Sequence, residues 1–301
     1  MVDKIISLMY DLRNRICFRN LSVCSEDSDL IRKLIFTEKA FMLSRFGNVE
    51  FDFINFYYRV NYTNSFFKNS LFFFRKEYPN DSRNRVSVNA GVSNFSPSNY
   101  KQFYDLYVES IRDIDFFFRW FSGDRLIETL GFKGTVFPLN TLNILDNPSF
   151  YSGVFDGKSV LVVSPFNASI NYQLDCNFQF IQEHLGIDNI FVEVITSPFS
   201  VTSDDDWFDN LQLLKTSIRN AALDRNIDYV ILGCGAFGLP LASFCKTLGI
   251  SSLHLGGVTQ LLFGIRGSRW SGYDLSKDGW INPISSDIPT FSNMIEGGCY
   301  W

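Results

Sequence analysis

The stretch DYVILGCGAFGLPLASFCKTLGISSLHLGG, residues 228–257, is the most informative about the fold class. Its apolar runs Asp228–Leu232 and Ser251–Leu255 predict two strands. A glycine-rich turn and a helix through Leu248 lie between them. A strand, a helix and a second strand in this order are typical of a βαβ unit, in which the two strands run parallel.

The same alternation is present throughout the chain. Further strands are predicted at Ala40–Ser44, Asp115–Trp120, Ser159–Val163 and Asn189–Thr196, with helices after 47, from the Ser96-Pro97 pair, from 169 to about 185 and after Asp204–Asp206. We therefore predict an α/β fold with a doubly wound, mostly parallel, Rossmann-like sheet. Residues 1–35 are predicted to form an N-terminal helical extension. Residues 36–301 would then form a single domain, in which the polar break near 143–152 is the candidate boundary between two lobes.

Composition limits the classes of partner. The 301 residues include 27 Lys and Arg against 32 Asp and Glu, for a net charge of −5. That balance lacks the positive excess of a nucleic-acid-binding surface, so we expect no nucleic acid partner. No run of about 20 apolar residues occurs, so no transmembrane segment is expected, and peripheral membrane association stays open. The six cysteines form no C-x-x-C pair and the N-terminus does not resemble a signal peptide, which together predict a cytoplasmic location. The sequence does not indicate the oligomeric state.

The first candidate site is the glycine-rich turn itself. Gly233, Gly235 and Gly238 form a G-x-G-x-x-G pattern between a strand and a helix, which is the context of a dinucleotide-binding turn. However, the acidic residue that anchors a ribose about 20 positions later is missing, because His254–Gly256 stands there. We therefore expect no NAD. Besides a dinucleotide site, two other interpretations are open, a turn needed for packing and a contact with the phosphate or sugar of another ligand.

A second strand-to-helix corner lies at Gly256 and Gly257, with Gln260 in the helix that follows. Glycines let a backbone approach a ligand closely. Arg266 and Arg269 come next in a glycine-spaced loop, and guanidinium groups bind phosphate oxygens in bidentate fashion. The pattern predicts a diphosphate site. The alternative is that both arginines face solvent or pair with nearby aspartates.

A third set of polar residues follows the first predicted strand: Arg45, Gly47, Asn48 and Glu50. Glu50 falls in the first turn of a helix, where a carboxylate is favoured by the helix dipole. It either caps that helix or faces the crevice and holds a metal, a ribose hydroxyl or a proton, while Arg45 holds a phosphate. His254, at a strand end, is either an acid–base group or a hydrogen-bonded structural residue.

The segment RFGNVE at 45–50 resembles the RFGDGE motif of the GT-D class of bacterial glycosyltransferases. In that class, a D-x-E pair serves the nucleotide sugar and its divalent metal. Residues 255–270 carry the element L-G-G-x-x-Q-x-x-F-G-I-x-G-x-R-W. With the rest of 228–270 and with 296–301, this element is similar to uncharacterised bacterial proteins encoded among capsule and O-antigen functions.

The resemblance implies a glycosyltransferase of bacterial surface polysaccharide biosynthesis, which moves a sugar from a nucleotide-sugar donor to a saccharide or lipid-linked acceptor. Glu50 and His254 are then the acid–base candidates, and the arginines and glycine corners are the donor's ligands. Asn48 replaces the motif's first carboxylate, so a Mg²⁺ or Mn²⁺ site would rest on Glu50 alone, which argues against metal dependence. The alternatives are a non-catalytic protein that binds a sugar nucleotide or glycan, and a dinucleotide-dependent oxidoreductase that acts on sugars.

Overall fold

The computed structural model describes residues 21–37, 40–62, 78–119, 125–199 and 206–301. Within these ranges, seven strands form one sheet in the order β3-β2-β1-β7-β6-β4-β5, and every neighbouring pair is parallel. This confirms the predicted α/β class. The strands are β1 (Met42–Ser44), β2 (Phe116–Arg119), β3 (Thr135–Pro138), β4 (Lys158–Ser164), β5 (Ile190–Thr196), β6 (Tyr229–Leu232) and β7 (Ser251–His254).

Helices cover both faces of the sheet, and short 3₁₀ turns connect several elements. The α-helices are α1 (Ser28–Phe36), α2 (Asn48–Tyr62), α3 (Asn80–Val88), α4 (Tyr100–Arg112), α5 (Leu126–Thr129), α6 (Asn167–Cys176), α7 (Phe178–Leu185), α8 (Trp207–Asp224), α9 (Gly238–Thr247) and α10 (Val258–Leu262). None of the described helices combines the length and the apolar character that crossing a bilayer requires.

The strands supply two cores because their side chains alternate between the two faces of the sheet. In β4, Leu161 and Val163 join one core, whereas Val160 and Val162 join the other. The first core lies under α2, α4, α8 and α9, and the second under α1, α6, α7 and α10. Helices on both faces confirm the doubly wound arrangement.

Several predicted boundaries need correction. The helix expected from Ser96 begins at Tyr100, because residues 96–99 form a turn in which Asn99 N donates to Ser96 O at 3.0 Å. The helix expected to continue to about 185 is two helices that meet at Asn177. Of the predicted N-terminal helical extension, helix α1 is described and confirms helical structure there, while residues 1–20 lie outside the described residues.

The chain connections open a crevice at the carboxyl ends of the central strands. Helix α2 follows β1 and packs in the first core, while α10 follows the adjacent strand β7 and packs in the second. Where neighbouring strands send their chains to opposite faces, the loops separate and leave a gap, which is the usual ligand position in open α/β sheets.

Candidate functional site

A cavity of about 420 Å³ occupies this crevice. It extends from the loop after β1 across β7, β6 and β4 to the loop after β5. This volume lies within the range of small-molecule sites. Most of the residues singled out in the sequence line it: Arg45, Gly47, Asn48, Glu50, Gly233, Gly235, His254, Gly256, Gly257, Gln260 and Arg269.

Two predicted site residues do not line the cavity. Arg266 donates from Nε to Asn282 Oδ1 at 2.9 Å and from a terminal nitrogen to Leu275 O at 3.2 Å. Gly238 begins α9, where any Cβ would collide with the imidazole ring of His254. The contacts of Gly238 therefore indicate a packing requirement.

Glu50 occupies the cavity floor at the start of α2. Phe51 N donates to Gly47 O at 3.0 Å, so α2 begins its hydrogen bonding there, and the Glu50 side chain folds back over Gly47. A side chain at position 47 would collide with the Glu50 carboxylate, which explains the glycine. Burial raises the pKa of Glu50, while its own backbone N–H and the charge of Arg45 act in the opposite direction.

Arg45 lies over the second glycine corner. A Cβ on Gly256 would be 3.2 Å from Arg45 Cζ, and Gly256 has a φ of +60°. Glycine, which has no Cβ, therefore allows both the left-handed backbone conformation and the close approach of the Arg45 guanidinium. Burial lowers the pKa of Arg45, the charge of Glu50 opposes this shift, and the neighbouring Arg269 adds to it. A guanidinium nevertheless stays charged in proteins.

Arg269 brings a second guanidinium to the same corner from the loop after α10. It lies 4.5 Å from the centroid of the Tyr300 ring and pairs with the carboxylate of Glu296. A Cβ on Gly257 would be 2.9 Å from one of its terminal nitrogens. Two positive groups at one corner favour an anionic ligand.

The corners present fewer backbone amides than the sequence suggests. Gly256 N donates to Leu232 O at 3.1 Å, and Ala236 N, in the first corner, donates to Ala90 O at 2.8 Å. Helix α10 has only five residues, so its dipole is small. The groups of the site that can bind an anion are therefore mainly the guanidinium groups of Arg45 and Arg269.

Two buried polar atoms also indicate a ligand. Thr259 and Gln260 are each 2% exposed and line the cavity. Gln260 Nε2 donates to Tyr300 O at 2.9 Å, but Gln260 Oε1 and Thr259 Oγ1 have no hydrogen-bond partner among the described residues. An unmade hydrogen bond at a buried group costs about 1–3 kcal/mol, which a hydrogen-bonding ligand or water would offset.

His254 is tied into the protein on both sides of its ring. Its Nδ1 lies 3.0 Å from Ser44 Oγ at the end of β1, and its other edge packs on Gly238. Burial, assisted by the charge of Arg45, lowers the pKa of His254 to about 3. The imidazole is therefore neutral near pH 7 and a weak base, so these contacts favour a structural role over an acid–base role.

An aromatic wall completes the cavity, and its residues were not among those predicted for the site from the sequence. Phe166 follows β4, Phe199 follows β5, and Tyr300 and Trp301 come from the C-terminal segment. A sequence signal exists, because the tripeptide Ser-Pro-Phe occurs at 164–166 and again at 197–199, at the ends of two adjacent strands.

The carboxylates do not fit a divalent cation. No group of three His, Cys, Asp or Glu side chains that could hold a metal occurs within the described ranges. Each of the two carboxylates that line the cavity interacts with an arginine. Glu50 feels the charge of Arg45, and Glu296 forms an ion pair with Arg269. Mg²⁺ and Mn²⁺ require several oxygen ligands, which these two carboxylates do not supply.

No family model matches the sequence, and no curated protein matches it. Among solved structures, the chain is similar to one described as a new glycosyltransferase (DUF1792) from Streptococcus sanguinis. That similarity has a TM-score of 0.34 at 12% sequence identity, and it covers 79% of this chain and 82% of the other.

Proposed function

We propose that the protein is a glycosyltransferase of bacterial surface polysaccharide biosynthesis that moves a sugar from a nucleotide-sugar donor to a saccharide or lipid-linked acceptor. One observation carries the proposal: Arg45 and Arg269, from opposite ends of the chain, meet at the glycine corner of a cavity that also holds the carboxylate of Glu50. The resemblance at 45–50 and 255–270 supports the reaction class and its biosynthetic context.

The arginines would stabilise the leaving group. When the bond between the sugar and the diphosphate breaks, negative charge grows on the departing nucleoside diphosphate, and preorganised positive groups lower the barrier. Arg45 is held in place beside Glu50 and Gly256. Arg269 pairs with Glu296, so a phosphate must replace that carboxylate before Arg269 can act.

Glu50 would accept the proton of the attacking hydroxyl group. It is the carboxylate of the cavity that lies beside Arg45, and its raised pKa moves it toward the range in which a general base works best near neutral pH. The positive charge of Arg45 keeps the ionised form available.

The direct test is Arg269→Ala, with Arg266→Ala as the matched control. Isothermal titration calorimetry with UDP, GDP and ADP should show that Arg269→Ala lowers affinity at least about tenfold, because charged hydrogen bonds contribute about 1.5–3 kcal/mol. Arg266 lies outside the cavity, so Arg266→Ala should bind as the wild type does. Both variants should unfold at nearly the wild-type temperature. Wild-type affinity in Arg269→Ala would remove this arginine from the site.

A non-catalytic sugar-nucleotide or glycan-binding protein is the second candidate. It is favoured by Asn48, which stands where the resemblance expects a carboxylate, and by Glu296, which already occupies Arg269. Incubation with UDP-, GDP- and ADP-sugars separates the two functions. Release of nucleoside diphosphate supports the transferase, whereas tight binding without release, with or without added oligosaccharide, supports the binding protein.

A further inference from the structure

We infer that the base of the nucleotide binds on an aromatic platform of Phe166, Phe199 and Trp301, at the end of the cavity opposite Glu50. This inference rests on the proposed function. It also orients the donor, because the transferred sugar must then point toward Glu50, with the diphosphate between the two ends.

The two phenylalanines are presented by matching strand ends. Strands β4 and β5 pair in register up to Ser164 and Thr196, and Ser197 N then donates to Ser164 O at 3.2 Å. The two Ser-Pro-Phe tripeptides therefore leave adjacent strand ends one residue apart in register, because Ser164 lies opposite Thr196 and Ser197 follows Thr196. Phe166 and Phe199 both line the cavity.

Trp301 joins the two rings. Its ring centroid lies 6.2 Å from that of Phe166 and 5.9 Å from that of Phe199. Its Nε1 donates to Asp287 O at 3.2 Å, which helps to fix the orientation of the indole. The Asp287 carboxylate accepts in turn from Ser169 N at 2.7 Å at the start of α6. The platform is therefore held in place before any ligand arrives.

The chemistry of the platform fits an uncharged planar group. Pro165 and Pro198 line the cavity beside the rings, and no charged residue lines it in the loops after β4 and β5 within the described ranges. Aromatic faces stack with bases of any identity. Phosphate oxygens, by contrast, would find no positive partner in these two loops.

The order of strands separates the platform from the charged end. Three strand spacings lie between β1, which is followed by Arg45 and Glu50, and β4, which is followed by Phe166. At about 4.8 Å per spacing, this separation is about 14 Å. Arg269 and Gly257 lie over β7, next to β1, so a diphosphate held there places the nucleoside toward β4 and β5.

The test compares Trp301→Ala and Trp301→Phe with the wild type in calorimetric titrations of UDP, GDP, ADP and inorganic diphosphate. We expect Trp301→Ala to weaken the tightest-binding nucleoside diphosphate at least about tenfold, the scale of one lost stacking contact. Inorganic diphosphate should bind with unchanged affinity, because it lacks a base. Trp301→Phe should restore most of the affinity, and Tyr273→Ala, an aromatic change outside the cavity, should have no effect.

Each contrary outcome has a separate meaning. Equal losses for nucleoside diphosphate and inorganic diphosphate in Trp301→Ala would overturn the base platform and assign Trp301 a structural role. If Trp301→Ala binds nucleoside diphosphates with wild-type affinity while Arg269→Ala binds them more weakly, the platform is also overturned, and the proposed function remains intact. If the wild type binds none of the four ligands, the proposed function fails and the platform fails with it.

Discussion

At the scale of single residues, Glu50 combines two roles that the sequence presented as alternatives. It lies in the first turn of α2 and folds over Gly47, as a capping residue does, and it also lines the cavity beside Arg45. The residue pattern predicted both positions but not their coexistence. Coexistence depends on the crevice between β1 and β7, which only the assembled sheet creates.

Glu50→Gln separates the two roles. The amide keeps the shape and the position over Gly47 but cannot take a proton, so we expect kcat to fall at least about 100-fold with little change in nucleotide affinity. Turnover is measured as the release of nucleoside diphosphate from the sugar nucleotide that the wild type uses, and affinity by calorimetry. Unaltered turnover would return Glu50 to capping alone.

The same variant has a signature in stability. Because burial raises the pKa of Glu50 in the folded state, its contribution is most favourable below its ordinary pKa and is lost as pH rises through the folded value. In chemical denaturation, the unfolding free energy of Glu50→Gln at pH 7 should therefore be at least equal to that of the wild type. Any excess of the variant's unfolding free energy over the wild-type value should be smaller near pH 4.

At the scale of elements, apolar continuity explains which parts of the fold could be predicted. Strand β4 contains the continuous apolar run Val160–Val163, and its sequence predicts the strand to within a residue at each end. Strand β3 has four residues and ends in Pro138, and helix α3 buries only Val86, so neither has a periodic pattern to detect. Nevertheless, Val88 at the end of α3 and Ala90 just after it line the cavity. The carbonyl oxygen of Ala90 accepts a hydrogen bond from Ala236 N at 2.8 Å.

Helix α9 provides a test of packing at the first glycine corner. Gly238→Ala adds a methyl group at the first residue of α9, where its Cβ would collide with the ring of His254. We expect a net loss of about 1–3 kcal/mol of unfolding free energy, the usual cost of overpacking. Urea denaturation measures it. Gly272→Ala is the control, because a Cβ there has no neighbour within 4 Å; equal stability of both variants would contradict this packing role.

At the scale of the whole molecule, the sheet is built from two halves that meet at one seam. Strands β1–β3 come from the first part of the chain and β4–β7 from the second, and in the described structure they pair with each other only between β1 and β7. The cavity straddles this seam, with Glu50 from one half and Arg269 from the other. Sequence motifs could therefore identify Arg45, Arg269, Glu50 and the two glycine corners among the lining residues, but not which of them meet or that two aromatic loops complete the wall.

His254 links the two halves at the seam, so its protonation should weaken the entire fold. Its folded-state pKa of about 3 lies below the ordinary value of 6.5, so its contribution is complete above pH 6.5 and is lost as pH falls toward 3. Wild-type stability should drop by up to about 1.4 kcal/mol per pH unit from this group.

His254→Gln cannot titrate at this position. Its unfolding free energy should therefore be lower than that of the wild type at pH 7, and it should fall less steeply between pH 6.5 and 5, where most carboxylates are still ionised. His184→Gln is the control for the other histidine, whose pKa burial also lowers and which bonds Leu261 O away from the seam. A His254→Gln variant that keeps the wild-type slope would show that protonation of His254 does not govern the stability of the seam.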